Sequence, residues 1–235
     1  MVNYDVFAEF YDPVMGERTD NIKLIQGLIK QYNPQAESVL ELATGTGSVI
    51  KGLADKYQVS GLDLSTEMLN KAKLKIPKAE LHQRDMADFN IGKTFDVIIC
   101  VFDSINHLES FDRWQQMFSA TYRHLNTGGI FIFDMNTIGR LRRLATEPSA
   151  IRDFNAGRLV MKVHQLGKNS FDWEVKVFEQ LSGKLHEEHI TEVAFPLSDV
   201  QQSANVMFQL VSSFSLGGEP LTDDSDRAFF VYRKR

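Results

Sequence analysis

The chain has 235 residues, 43% hydrophobic and 24% charged, with a formal net charge of −5 and one cysteine, the balance of an ordinary globular protein. That length suits one large domain or one domain with an insertion, and no apolar run approaches the roughly 20 residues of a transmembrane helix. The acidic balance argues against nucleic-acid or anionic-membrane partners, which select a basic face. A lone Cys100, with no basic-then-apolar leader at the N-terminus, predicts a reducing, cytoplasmic setting.

In chain order, residues 1–36 come first and are rich in aromatics: Tyr4, Phe7, Phe10 and Tyr11. Ile22, Leu24, Ile25, Leu28 and Ile29 follow at helical spacing and stop before Asn33-Pro34. Strands are predicted near 38–43, 58–63, 79–82, 95–101 and 129–135, alternating with helices near 47–56, 66–75 and 111–125. Ser65 suits the N-cap of the second helix. The runs 95–101 and 129–135 are almost continuously apolar, as in a parallel sheet covered on both faces.

The period then changes. Phe171, Trp173, Val175 and Val177 alternate with Asp172, Glu174 and Lys176, the pattern of a half-buried antiparallel strand. Leu159, Met161 and Val163 precede it across Gly167-Lys168-Asn169, and the run 185–195 follows Ser182-Gly183-Lys184. A three-stranded antiparallel insertion results. Ser198-Asp199-Val200-Gln201 has the form of a capping box and restarts a helix. Two strands near 208–216 and 227–234 close the chain.

The chemistry sits in Val39-Leu-Glu-Leu-Ala-Thr-Gly-Thr-Gly47 and Gly61-Leu-Asp-Leu-Ser65. A strand ends in a glycine-rich turn, and the next strand ends in Asp63, which is the first βαβ half of a nucleotide-binding sheet. A dinucleotide fingerprint starting at Gly45 and Gly47 needs a third glycine where Ile50 stands. Glu41 beside the turn would repel a pyrophosphate and suits an amino-bearing ligand instead.

Glu41-x-Ala43-x-Gly45-x-Gly47 resembles motif I of the class I S-adenosylmethionine-dependent methyltransferases, with Ala43 in place of the first glycine. Three further stretches are similar to that family in order and spacing: Arg84-Asp85-Met86, Phe95 to Leu108, and Leu125 to Asp134 with Thr127 replacing a proline. The resemblance implies an α/β Rossmann-like sheet of seven mostly parallel strands, with an antiparallel last strand and a small antiparallel β insertion. It implies a methyltransferase domain over 1–137 and 196–235, with 1–36 as an N-terminal lid, and an acceptor-binding insertion over 138–195. That insertion is expected over the carboxyl ends of the parallel strands, so that Trp173 and Arg158 bear on the acceptor.

S-adenosylmethionine is the cofactor implied. Glu41 would hold its amino group, Asp63 the ribose diol, Asp85 the adenine amino group and the Met86 backbone N–H the ring. Leu64 and Met68 would sandwich the adenine, Ala43, Gly45 and Gly47 form the turn, and Phe102 shield the sulfonium. Tyr4 and Tyr11 would close the lid, and Arg18 would meet the cofactor carboxylate. His107 is the candidate base, and Tyr11 could touch the acceptor. Each has a plainer alternative: Leu64, Met68 and Phe102 as core, Asp85 and His107 as caps, the tyrosines packing a helix on the sheet.

No metal is expected. Asp103, Asp134 and Asn136 could gather magnesium, but the adjacent Asp-Asn pair of catechol-type enzymes is absent. His186 and His189 would point to opposite faces of a strand. The function implied is N- or O-methylation of a small-molecule acceptor by direct displacement, with no nucleic acid or membrane partner and the oligomeric state open. A methyltransferase of RNA or protein, and a non-catalytic S-adenosylmethionine-binding protein, are the alternatives.

Overall fold

The computed structural model describes residues 8–16, 18–155 and 157–235. Its first half runs α1 (Ala8–Met15), α2 (Thr19–Tyr32), β1 (Ser38–Leu42), α3 (Ser48–Leu53), β2 (Gln58–Asp63), α4 (Thr66–Lys75), β3 (Glu80–Gln83) and β4 (Phe95–Cys100). A 3-10 turn (Ser104–His107), α5 (Phe111–His124), β5 (Leu125–Asn136) and α6 (Ile138–Thr146) follow. Then come β6 (Ala150–Phe154), β7 (Gly157–Gln165), β8 (Ser170–Glu179), β9 (Leu185–Val193), α7 (Leu197–Asn205), β10 (Phe208–Phe214) and β11 (Arg227–Lys234).

Seven strands form one sheet in the order β10-β11-β5-β4-β1-β2-β3. The strands β1 to β5 pair in parallel, and β11 runs antiparallel to both β5 and β10. The continuous apolar runs of β4 and β5 lie mid-sheet, because only strands covered on both faces can hide every side chain. On one face Val97, Ile99, Ile130 and Ile132 meet Ile25, Leu28 and Ile29 of α2. On the other, Ile98, Phe131 and Phe133 meet Trp114, Met117 and Phe118 of α5 and Val200 of α7.

The α4 N-cap forms as expected: the Ser65 hydroxyl accepts the Met68 N–H at 3.1 Å. The capping box at Ser198 does not. Pro196 stands at the N-cap of α7, ahead of the position the pattern implied, and the Asp223 carboxylate of a distant loop accepts the first helical N–H, that of Leu197, at 2.8 Å. Helix α3 is also shorter than the expected 47–56, ending at Leu53 before the turn that leads into β2.

The insertion is a four-stranded antiparallel sheet, β6-β7-β8-β9, preceded by α6. The strand added to the expected three is β6, an edge strand with exposed residues from Ala150 to Asp153. Nothing in it is half-buried by alternation, so no period-2 signal marks it. Asn106 stitches this sheet to the main one: its side-chain amide donates to the carbonyls of Asn136 (3.1 Å) and Val193 (2.8 Å). The inner face of the insertion, with Leu159, Val175, Val177 and Ile190, packs on Val14 of α1. The insertion therefore lies over the carboxyl ends of β1, β4 and β5, with α1 held between.

Candidate active site

A cavity of about 410 Å³ opens at those carboxyl ends, within the usual range for a small-ligand site. It begins at the turn after β1. Ala43, Gly45 and Gly47 have φ of 52°, 54° and 76°, a left-handed path that glycine takes freely. At Gly45 a Cβ would meet nothing within 4 Å, so bare backbone faces the cavity. At Gly47 a Cβ would stand 2.9 Å from Ile76 and 3.0 Å from Ala72, so that glycine serves the packing of α4 against the turn.

Asp63, at the end of β2, organises this corner. Its carboxylate accepts the N–H of Gly45 at 2.8 Å and the N–H of Ser65 at 2.9 Å. The same carboxylate lines the cavity. Leu64, Met68 and Met86 supply apolar walls nearby. Asp85 also faces the cavity; it accepts the Ala87 N–H at 2.8 Å and pairs with Arg113 of α5.

The lid side is a stack. The Arg18 guanidinium lies 3.9 Å above the centre of the Phe102 ring and reaches the Tyr11 hydroxyl at 3.5 Å. Burial raises the Tyr11 phenol, with Arg18 opposing. Helix α1 is tied down by Asp12, whose carboxylate accepts from the Thr46 hydroxyl (2.7 Å) and pairs with Lys75 (2.6 Å). Tyr4 lies outside the described residues.

The far end of the cavity is polar at its floor and apolar in its walls. Phe102 and Asp103 both adopt left-handed backbones, φ 60° and 54°, at a cost of roughly 1–2 kcal/mol per non-glycine residue. Buried Asp134 holds them there, accepting the N–H of Phe102 (3.1 Å) and of Asp103 (2.6 Å). Arg227 of β11 donates to Asp134 at 2.9 Å and to Asp103 at 2.6 Å. Asn136 donates to Asp103 at 3.0 Å and to Glu192 of β9 at 2.9 Å. Met161, Trp173, Val175 and Ile190 of the insertion form the wall above.

Of the residues the sequence singled out, Tyr11, Arg18, Ala43, Gly45, Asp63, Leu64, Met68, Asp85, Met86, Phe102 and His107 line this one cavity. Glu41 and Gly47 do not. Glu41 is 3% exposed and sits behind the turn, its carboxylate accepting the Thr44 hydroxyl at 2.6 Å. Burial pushes its pKa up to about 8, against the opposing bonds from Thr44 and Ile50. His107 is held below the ordinary histidine range by burial, which outweighs the pull of Asp103. Arg158 points away from the cavity, paired with Asp153 on the outside of the insertion at 2.6 Å.

Asp103, His107 and Glu192 each bring a ligand atom within 4.8 Å of the others. A guanidinium already fills the cationic place: Arg227 bridges Asp103 and Asp134 and reaches Asn136 at 3.4 Å. Burial, followed by the charge of Asp103, holds Glu192 well above the usual carboxylate range and keeps it protonated. The set offers a divalent cation too little net charge. Glu192, Arg227, Arg113 and Arg140 went unmarked in the sequence, because each reaches the cavity only through tertiary contacts.

A profile described as "Methyltransferase domain" matches residues 39–129. Residues of this chain are 41% identical over 106 positions to a dTDP-3-amino-3,6-dideoxy-alpha-D-glucopyranose N,N-dimethyltransferase of Streptomyces fradiae, covering 43% of this chain and 42% of that one. They are 32% identical over 131 positions to a dTDP-3-amino-3,4,6-trideoxy-alpha-D-glucopyranose N,N-dimethyltransferase of Streptomyces venezuelae, covering 55% of each. The chain thus matches about half the length of these curated relatives. The crystal structure of a S-adenosylmethionine-dependent methyltransferase from Clostridium acetobutylicum ATCC 824 superposes over 98% of both chains with a TM-score of 0.87 at 23% identity, which shows the shared fold. With the reversed last strand in place, the chain as a whole shares the fold of that S-adenosylmethionine-dependent methyltransferase, and residues 39–129, which carry the glycine turn and the Asp63 corner, match a methyltransferase domain.

Proposed function

We propose that this protein transfers a methyl group from S-adenosylmethionine to the nitrogen of a small-molecule acceptor. The observation that carries the reading is one continuous cavity with an Asp63–Asp85 corner at one end and the Asp103–Trp173 wall at the other. The cofactor fits the first end on two grounds: open space over the Gly45 backbone, and an Asp63 carboxylate that lines the cavity beside it.

When bound, S-adenosylmethionine supplies a sulfonium methyl: the acceptor's lone pair forms the new bond, and the electrons of the S–CH₃ bond return to sulfur. The protein's part is positioning, which alone can supply most of the rate of such a displacement. Asp63 orients the ribose, Asp85 and the Met86 backbone read the adenine, and Leu64 and Met68 flank it. Arg18, stacked on Phe102, closes the methionine end with Tyr11. Residues 1–137 and 196–235 form the cofactor-binding part, with the described part of 1–36 as lid, and 138–195 form the acceptor-binding insertion. His107, neutral at pH 7, can accept a proton from the product ammonium.

The curated relatives' names point to amino sugars as the acceptor class. No helix among the described residues is long and apolar enough to cross a membrane, and the buried Cys100 thiol suits a cytoplasmic setting. The test has two arms. Calorimetry should show S-adenosylmethionine binding and no NAD binding. A labelled-methyl assay should then show transfer to dTDP-3-amino-3,6-dideoxy-α-D-glucopyranose or another amino sugar, and none to RNA or protein fractions. NAD binding without S-adenosylmethionine binding would sink the reading.

A further inference from the structure

Asp103 is the acid of this cluster most exposed at the acceptor end of the cavity, with its partner Arg227 equally exposed beside it. Its side chain is 20% exposed, whereas Asp134 is sealed at 0% and Glu192 at 3%. Two consecutive left-handed residues, with Asp134 gripping both of their backbone N–H groups, put this carboxylate there. Such backbone conformations persist where the surroundings over-determine them, and they concentrate at functional sites.

We propose that Asp103 is the counter-ion of the acceptor nitrogen, receiving the amine and stabilising the positive charge that arrives on it as the methyl group is transferred. The proposal rests on the methyltransferase reading above and adds the residue that selects nitrogen. Three donors hold the carboxylate: Arg227 at 2.6 Å, Asn136 at 3.0 Å, and the protonated Glu192. Of about four lone-pair sites, one remains for a ligand N–H.

The charges around it settle its role. Arg227 faces it from β11, Arg140 from α6, His107 from the 3-10 turn, Glu192 from β9, Asp134 from β5, and Tyr11 with Arg18 from the N-terminal segment. Burial works to raise the Asp103 carboxyl, but Arg227, His107 and Arg140 hold it below the usual range. A carboxylate so held is a poor base and a persistent anion, suited to stabilising charge rather than to removing protons. An amine gains positive charge as it attacks, and a fixed anion favours that. A hydroxyl nucleophile becomes more negative on losing its proton, and the same anion opposes it.

Sinefungin tests this without knowledge of the acceptor, since an amine-bearing carbon replaces the sulfonium methyl and puts an ammonium where the methyl would leave. The measured quantity is its affinity relative to S-adenosylhomocysteine. Asp103→Asn suits the left-handed backbone, and Asp103→Gly is a second variant that suits it better still. In both, the affinity ratio should fall about tenfold, a charge-assisted bond having been lost, while S-adenosylhomocysteine binding stays within about twofold as the check of fold. Glu192→Gln exchanges one neutral group for another and should keep the wild-type ratio. An unchanged ratio in the Asp103 variants, with S-adenosylhomocysteine still bound, overturns the proposal. So does an equal fall in Glu192→Gln, which would place the charge on Glu192. If the wild-type protein binds neither ligand, the underlying methyltransferase reading fails instead.

Discussion

Glu41 should make cofactor binding release a proton. Its carboxyl is 3% exposed, and burial raises its pKa to about 8 in the free protein. At pH 7 a group of that pKa is about nine-tenths protonated. If the ammonium of the cofactor's methionine end settles against it, directly or through the Thr44 hydroxyl, the ionised form gains a partner and the pKa drops. Once it falls to about 6 or lower, binding expels roughly 0.8 proton from this one residue. The ligand's own α-amino group, with an ordinary pKa near 7.7–8.0, takes up roughly 0.1 in return, leaving a net release of about 0.7. Calorimetric titration at pH 7, in buffers of different ionisation enthalpy, reads that number as the slope of apparent binding enthalpy. In Glu41→Gln the carboxyl is gone, and the slope should collapse to the small uptake by the ligand. Equal slopes in the two proteins would refute the assignment and leave Glu41 as a buried acid that merely braces the turn. The geometry makes the question real, since Glu41 stands behind the cavity wall rather than in it.

Two further outcomes follow from the same contacts. The free protein should lose stability as pH rises, because a carboxyl whose folded pKa is raised from 4.5 to about 8 stabilises fully below about 4.5 and ceases to as pH passes 8. Glu41→Gln should flatten this, with a difference from wild type on the order of 4 kcal/mol between pH 5 and pH 8.5 in denaturant unfolding; parallel curves would show the carboxyl titrating normally. Trp173→Ala should raise the acceptor KM about tenfold, through roughly 1.4 kcal/mol of lost wall contact, and leave the S-adenosylmethionine Kd within about twofold. Arg158→Ala, on the outer face, should change neither in steady-state kinetics, and a larger effect of Arg158 than of Trp173 would put the acceptor elsewhere.

The sequence carried the fold wherever local rules decide it. Apolar strands β4 and β5, the glycine turn and the Ser65 cap are short-range patterns, and each names its own position. So is the alternation 171–177, which marks a sheet with one wet face. The misses have the opposite character. Strand β6 is exposed through Asp153 and exists because it pairs with β7, so its own residues carry no period. The α7 cap comes from Asp223, 26 positions away from the N–H it accepts. The capping-box pattern at Ser198 therefore falls inside the first turn of a helix whose leading N–H the loop satisfies.

The same contrast divides the two ends of the cavity. At the cofactor end, Ala43 and Gly45 follow β1, Asp63 ends β2 and Asp85 follows β3, so a chain-order reading finds them. At the acceptor end, Asp103 works only because Asp134 clamps its backbone from 31 residues away and Arg227 balances Asp103 and Asp134 from 124 and 93 residues away. No spacing rule reaches that far. The strained pair Phe102-Asp103 is where local preference and global fold disagree, and such disagreements are held where function needs them. A cofactor shared across a family can be read by local motif. The sequence could place Phe102-Asp103 after β4, where cofactor and acceptor would meet, but the contacts that grip Asp103 are long-range and only the structure shows them.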